Sequence, residues 1–224
     1  MQNLRRRHGR GGHAFDSGKT LSYYFRTSTM HAYYINLDHR TDRRAEIEKE
    51  LADKGISAER IPAFKTTPGC IGCSLSHIAA LKLARERGLE AVMIFEDDFT
   101  FLISKDEWDR LFSLLPASYD VVMLSYNLIQ STQHDAIFDR VQDVQTASGY
   151  IVHSRFYDRL IAQSEAATHM LSQTGMHWLY AYDQQWKMFQ PNTEWFAYKT
   201  RIGKQRDGIS DNGEGESRFI VNHF

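Results

Sequence analysis

The chain has 224 residues, 42% of them hydrophobic and 12% aromatic, with a net charge of −1. That length suits one α/β domain with a full core and is short for two, and no apolar run nears the roughly 18 residues a membrane span needs. Residues 1–29 hold Arg5, Arg6, Arg7, Arg10, Lys19 and Arg26 against Asp16, a balance of +5 that leaves −6 on the remainder, which argues against the basic face of a nucleic-acid-binding body.

Residues 1–29 are basic, rich in Gly and Ser, and lack the apolar core of a secretory signal. With so little apolar surface to offset ordering entropy, they read as a flexible extension without catalytic role, ahead of a domain over 30–224. Ala32 to Leu37, AYYINL, is expected to form the first strand, closed by a polar turn at Asp38-His39-Arg40. A helix follows from about Asp42 to Lys54: Ile47 and Leu51 recur four apart and Gly55 supplies the stop. Ile56 to Ile61 suits a second strand, broken by Pro62.

The turn-rich Thr66-Thr67-Pro68-Gly69 leads into a helix over about Ser74 to Arg87, ended by Gly88. Ala91 to Phe95, AVMIF, is a continuous apolar run of the kind found in strands buried on both faces of a parallel sheet. Further pieces alternate in the same way: a helix near Glu107 to Leu115, strands at Asp120 to Leu124 and Ser148 to Val152, and a helix from about Phe156 to Glu165. Strands separated by helices imply βαβ units and a mostly parallel sheet. After Met170 the sequence turns aromatic and irregular.

Glu96-Asp97-Asp98 directly follows the AVMIF run, and in open α/β sheets the ligand crevice lies beyond the carboxyl ends of strands. Neighbouring side chains on an extended segment point to opposite sides, so Glu96 and Asp98 can face one ion while Asp97 turns toward backbone or ribose. Two hard oxygens beside a diphosphate suit Mg²⁺ or Mn²⁺. An acidic turn in solvent gives the same triplet, and clustered carboxylates also build the two-metal sites of phosphoesterases and nucleases.

Arg40, Arg43 and Arg44 follow the first strand, where a guanidinium can reach phosphates or simply decorate the first turns of a helix. Asn36, polar at the end of an apolar strand, needs a partner that an active-site edge offers. GCIGCSLSH, Gly69 to His77, places small and hydroxyl residues at a helix start, where free N–H groups attract anions or Ser74 and Ser76 act as caps. His77 taken alone is more readily a structural histidine. Cys70 and Cys73 form one CxxC pair, a weak zinc or redox signal that fits reduced thiols in the cytoplasm, with Cys73 as a small packed residue. Asp183, an acid among aromatics in WLYAYDQQWKMF, sits where a carboxyl pKa rises and sugar faces are accommodated, although a surface position on a helix explains it equally.

In order along the chain, YYINLDHRTDRR, ERIPAF, IGCSLSH, VMIFEDD, TASGYIVHSRFYDRLI, YDQQWKMF and the spaced Gln205, Ser210 and Asp211 resemble glycosyltransferase family 25, of the lipooligosaccharide and collagen galactosyltransferase type. The resemblance implies a GT-A type fold with a mostly parallel central sheet flanked by helices, and transfer of a hexose, galactose or glucose, from a UDP-sugar. The acceptor would be a glycan or a hydroxylated protein. It implies Mn²⁺ or Mg²⁺ on Glu96 and Asp98, and donor-site roles for Asn36, Arg40, Arg43, Ser76, His77 and Asp97. Inversion at the anomeric carbon would need a base, for which Asp183 is the candidate beside Asp98 in the catalytic set. It also implies a place in lipopolysaccharide biosynthesis; the expected location is cytoplasmic, with no transmembrane segment and with room for peripheral membrane contact. A non-catalytic glycan- or nucleotide-binding protein is the reading from a different class.

Overall fold

The computed structural model describes residues 30–209 and 218–219, with side chains over 30–207; the basic stretch 1–29 and the quoted Ser210 and Asp211 lie outside. The first half runs β1 (His31–Asn36), α1 (Thr41–Asp53), β2 (Ala58–Pro62), α2 (Gly69–Glu86), β3 (Ala91–Glu96), β4 (Phe99–Phe101) and α3 (Lys105–Phe112). The second half adds β5 (Val121–Met123), β6 (Asn127–Gln133), β7 (Phe138–Gln145), β8 (Gly149–His153) and α4 (Ser154–Thr174). Short helices α5 (His177–Tyr180) and α6 (Tyr182–Gln185), then β9 (Trp195–Tyr198), β10 (Gly203–Gln205), β11 (Gly208–Ile209) and β12 (Arg218–Phe219) complete it.

Eight strands form the main sheet in the order β2-β1-β3-β8-β5-β9-β7-β6. The pairs β1/β2, β1/β3 and β5/β9 are parallel, and β8 and β7 oppose their neighbours, so six of the eight strands run one way. The mostly parallel sheet read from the βαβ rhythm therefore carries two reversed strands.

Side chains alternate across each strand and fill two cores. Tyr33, Ile35, Val92 and Ile94 face one side, where α2 contributes Ile78, Leu81 and Ala84 and α4 contributes Phe156, Leu160 and Ile161. Ala32, Tyr34, Met93 and Phe95 face the other, against Ile47 and Leu51 of α1 and Trp108, Leu111 and Phe112 of α3. Each strand between these layers is buried on both faces, which is why AVMIF reads as one apolar run.

Several elements depart from their expected bounds for identifiable reasons. Helix α2 opens at Gly69, five residues before Ser74, because Thr66 caps the turn from outside: its Oγ1 accepts from Gly72 N–H at 2.7 Å and donates to Pro68 C=O at 2.7 Å. A Cβ on Gly72 would come within 2.1 Å of the Phe64 carbonyl oxygen, so this close crossing requires glycine. Helix α4 continues to Thr174 because its buried stripe runs on through Ser164, Ala167 and Thr168, too small or polar to register as an apolar period, to Leu171. The hairpin β6–β7 and strand β9 were hidden by polar composition and by aromatic crowding respectively. At the edge strand β6 the burial is slight, while Trp195, Phe196 and Tyr198 of β9 are fully enclosed.

Candidate active site

Strands β1 and β3 lie side by side, with β2 and β8 on their outer edges, so the chain winds away from this pair in opposite directions. In open α/β sheets such a switch point puts the ligand site beyond the carboxyl ends of the flanking strands. Ile35 and Glu96 are register partners, which puts Asn36 beside the acidic triplet.

Asn36 is 1% exposed and its Nδ2 donates to Asp97 Oδ2 at 2.8 Å and to the Arg40 carbonyl at 3.0 Å. Its Oδ1 accepts from Arg60 Nε at 3.0 Å. The polar residue at the strand end thus has the partners its burial requires. Arg43, one turn into α1, reaches both Asp97 Oδ1 at 3.2 Å and Asp98 Oδ2 at 3.4 Å. The Arg40 guanidinium meets Asp42 instead, at 3.0 and 2.9 Å.

The turn after the triplet is fixed by β4, which pairs with β10 and brings Gln205 Nε2 to 3.0 Å from Asp98 Oδ2. The Phe99 ring anchors that turn. A Cβ on Gly149 would come within 2.5 Å of it and one on Gly203 within 2.3 Å, so the ring occupies the space two side chains would need. It continues into an edge-to-face stack with Phe95 at 4.9 Å and Phe101 at 4.8 Å.

Asp98 Oδ1 is buried and has no hydrogen-bond partner among the described residues. Burial, reinforced by the charge of Glu96, pushes the Asp98 carboxyl up to about 7, against the opposing pull of Arg43 and Gln205. Asp97 is also raised, by burial first and by Glu96 as well, with Asn36 and Arg43 opposing. Glu96 differs: burial would raise it, but hydrogen bonds from His77 and Cys73 and the charge of Arg43 leave it below its ordinary value.

Asp183 lies on α6, where its Oδ2 accepts from the Thr146 N–H at 3.0 Å and its Oδ1 from Gln184 Nε2 at 3.3 Å. Burial raises its carboxyl and the charge of Glu96 adds to the rise, so it belongs to the same electrostatic cluster as the triplet. Thr146 holds φ at +84°, a left-handed conformation that a threonine adopts at a cost.

Asn36, Arg43, Glu96, Asp97, Asp98 and Asp183 are therefore brought together. Ser76 is fully buried, donating to the Gly72 carbonyl at 2.6 Å and accepting from Phe64 N–H at 2.9 Å, so it ties α2 to the loop after β2 and does not face the crevice. His77 is 0% exposed and stands behind Glu96, its Nε2 at 3.0 Å from Glu96 Oε1.

Sequence reading passed over Arg60, Thr146, Tyr150 and Tyr182, and took Cys73 for packing. Cys73 and His77 stand one helical turn apart on α2 and both meet Glu96, a spacing that could have flagged them. Nothing in the sequence marks Thr146. Cys70 and Cys73 are free thiols, and burial raises both, Cys73 well above the ordinary range with Glu96 and Asp183 adding, so neither is a reactive thiolate.

The domain is thus a mixed sheet between two helical layers, with carboxylates gathered at its switch point. It superposes on a solved glycosyltransferase involved in glycosylation of the major capsid of PBCV-1 with a TM-score of 0.54, covering 81% of this chain and 94% of that one. At 8% identity that likeness concerns the fold alone. The family model described as "Glycosyltransferase family 25 (LPS biosynthesis protein)" matches residues 64–190, and the chain belongs to that family. A Haemophilus influenzae protein, assigned as a glycosyltransferase by inference, is 46% identical over 54 residues, a stretch that is 24% of this chain and 19% of the relative. Among the described residues no helix is long and apolar enough to cross a membrane.

Proposed function

We propose that this glycosyltransferase moves a hexose, galactose or glucose, from a UDP-sugar to a hydroxyl of a glycan or hydroxylated protein, with inversion and with a divalent metal held at the acidic triplet. The observation that carries the reading is Asp98 Oδ1, a buried carboxylate oxygen without a partner among the described residues. It lies beside Glu96 and Asp97, whose charges add to the rise of its carboxyl, and among the described residues Arg43 is the cation bonded to both Asp97 and Asp98. An orphaned hard oxygen in an excess of negative charge fits a hard divalent cation.

Glu96 and Asp98 would hold Mn²⁺ or Mg²⁺, which when bound supplies charge neutralisation to the departing diphosphate. Asn36 and Arg43 fix Asp97 at the β1 edge, where a ribose or phosphate can meet it. Gln205 and Arg43 engage Asp98 Oδ2, so that Oδ1 is the atom left to serve as ligand. Asp183 would take the proton from the acceptor hydroxyl at a carboxylate oxygen. Its enclosure makes it more basic than an ordinary aspartate, which suits a general base working near neutral pH.

The test is product formation from UDP-galactose and UDP-glucose across lipooligosaccharide and hydroxylysyl-peptide acceptors, with Mn²⁺, Mg²⁺ or chelator. Transfer that needs the metal supports the proposal. Undiminished transfer in chelator removes the metal from it, and cleavage of phosphodiesters in place of transfer overturns it.

A further inference from the structure

Behind the crevice the chain buries a line of polar side chains that none of the steps above uses directly. Tyr182 Oη lies 2.9 Å from Tyr150 Oη, which lies 3.0 Å from His77 Nδ1, and His77 Nε2 lies 3.0 Å from Glu96 Oε1. Cys73 Sγ donates to the same Glu96 oxygen at 3.5 Å. The imidazole also stacks on the Tyr182 ring, 4.3 Å between centroids and 13° between planes. His77, Tyr150 and Tyr182 are at most 2% exposed, whereas the Glu96 side chain at the end of the line is 20% exposed.

Proton accounting gives this line one direction. A carboxylate only accepts, so His77 Nε2 must carry a proton. In a neutral ring Nδ1 is then bare, and the Tyr150 hydroxyl must donate to it. That leaves the Tyr150 oxygen to accept from Tyr182, and every proton has found an acceptor. The opposite direction would leave the Tyr182 proton without an acceptor among the described residues, which is costly for a buried hydroxyl.

We infer that His77 is a positioning residue, held as the Nε2–H tautomer by the Tyr150 and Tyr182 hydroxyls, and that its Nε2–H fixes the orientation of the Glu96 carboxylate. This moves His77 from a donor contact to a support, as its burial demands. That Glu96 then serves a metal rests on the function proposed above; the proton arrangement does not. The ligand atoms of Cys73, His77 and Glu96 lie within 4.8 Å of one another, so a thiolate-binding ion is the competing occupant of the same atoms.

The first arm is a ¹H–¹⁵N imidazole correlation spectrum of the full chain in chelator at neutral pH, with the His77 signal assigned by its loss in His77→Gln. The Nε2–H pattern is expected, giving way to mixed tautomers in Tyr150→Phe. An Nδ1–H or imidazolium pattern in the unaltered chain overturns the inference. The second arm is Mn²⁺ binding by calorimetry. His77→Gln, which keeps an N–H at the Nε2 position, should retain most of the affinity, while Tyr150→Phe and His77→Leu lose on the order of 10–100-fold. Equal loss in His77→Gln and His77→Leu, both still folded, overturns the positioning role, and if His77→Leu does not fold, unchanged affinity in Tyr150→Phe does so. An unaltered chain that binds no Mn²⁺ sinks the metal assignment while the spectrum still decides His77. A Co²⁺ thiolate charge-transfer band that vanishes in Cys73→Ser overturns the inference in favour of a metal on Cys73.

Discussion

Replacing Asp98 by asparagine removes one titrating group while keeping its shape, and so isolates what burying that carboxyl does to stability. In the folded chain its pKa is pushed up to about 7, against an ordinary value of 3.8. Between those values the folded state holds a proton that the unfolded state has lost. Stability from this group is therefore full below the unfolded pKa and declines as pH rises through the folded one. At ~1.4 kcal/mol per pH unit the whole span corresponds to roughly 4 kcal/mol, and about 3 kcal/mol of it falls between pH 5 and pH 8. Urea unfolding of both proteins in chelator, at pH 5, 6, 7 and 8, gives the difference in stability between them at each pH, so that titrating groups away from the Asp98 cluster cancel. The unaltered chain should lose about 3 kcal/mol relative to Asp98→Asn across that range. Millimolar Mn²⁺ should restore much of that loss, because an ion that binds only the folded state stabilises it. A difference that stays flat from pH 5 to pH 8 would refute the buried, charge-crowded setting assigned to Asp98.

Arg43→Met takes the cation from Asp97 and Asp98 together and should destabilise the chain by on the order of 3 kcal/mol at pH 8. The loss should be smaller at pH 5, where Asp98 is protonated; equal losses in denaturant midpoints at both pH values would argue against the shared ion pair. Gly203→Ala drives a Cβ to 2.3 Å from the Phe99 ring and should cost ~1–3 kcal/mol by thermal unfolding, with partial recovery when Phe99→Leu is added. Asp183→Asn should lower kcat on the order of 10²–10⁴-fold with little change in donor affinity, and a variant that transfers sugar at full rate would remove Asp183 from the role of base.

Much of this architecture was legible because the strands are buried on both faces: AYYINL and AVMIF announce themselves as apolar runs, and the carboxylates just past the second fall where a crevice must be. The reversed strand β8 was not readable as reversed, since GYIVH is as apolar as a parallel strand and direction leaves no mark on composition. Asn36 could be singled out because a buried amide needs partners, and Asp97 and Arg40 supply them. Ser76 and His77 stood in the motif that carried the family resemblance, yet sequence order gave no sign that one faces Gly72 and Phe64 and the other stands behind Glu96. Those orientations come from the rotation of α2 against the sheet, which depends on Gly72 letting the Phe64 loop cross closely. Arg60 was not legible as a site residue, and Gln205, quoted for the family resemblance, carried no sign of its partner, for a different reason: each meets the site from a distant part of the chain, 24 residues from Asn36 and 107 residues from Asp98.

That last separation has a consequence during synthesis. A ribosome makes Asp98 long before the strand that delivers Gln205, and β4 has no pairing partner until β10 has emerged. Helices α1 and α2 and the parallel trio β2-β1-β3 can assemble as the chain leaves the exit tunnel, whereas the turn that follows the acidic triplet must wait for the C-terminal strand to clamp Phe99 from its second side. A nascent chain arrested before residue 203 should thus possess the floor of the site without its finished rim.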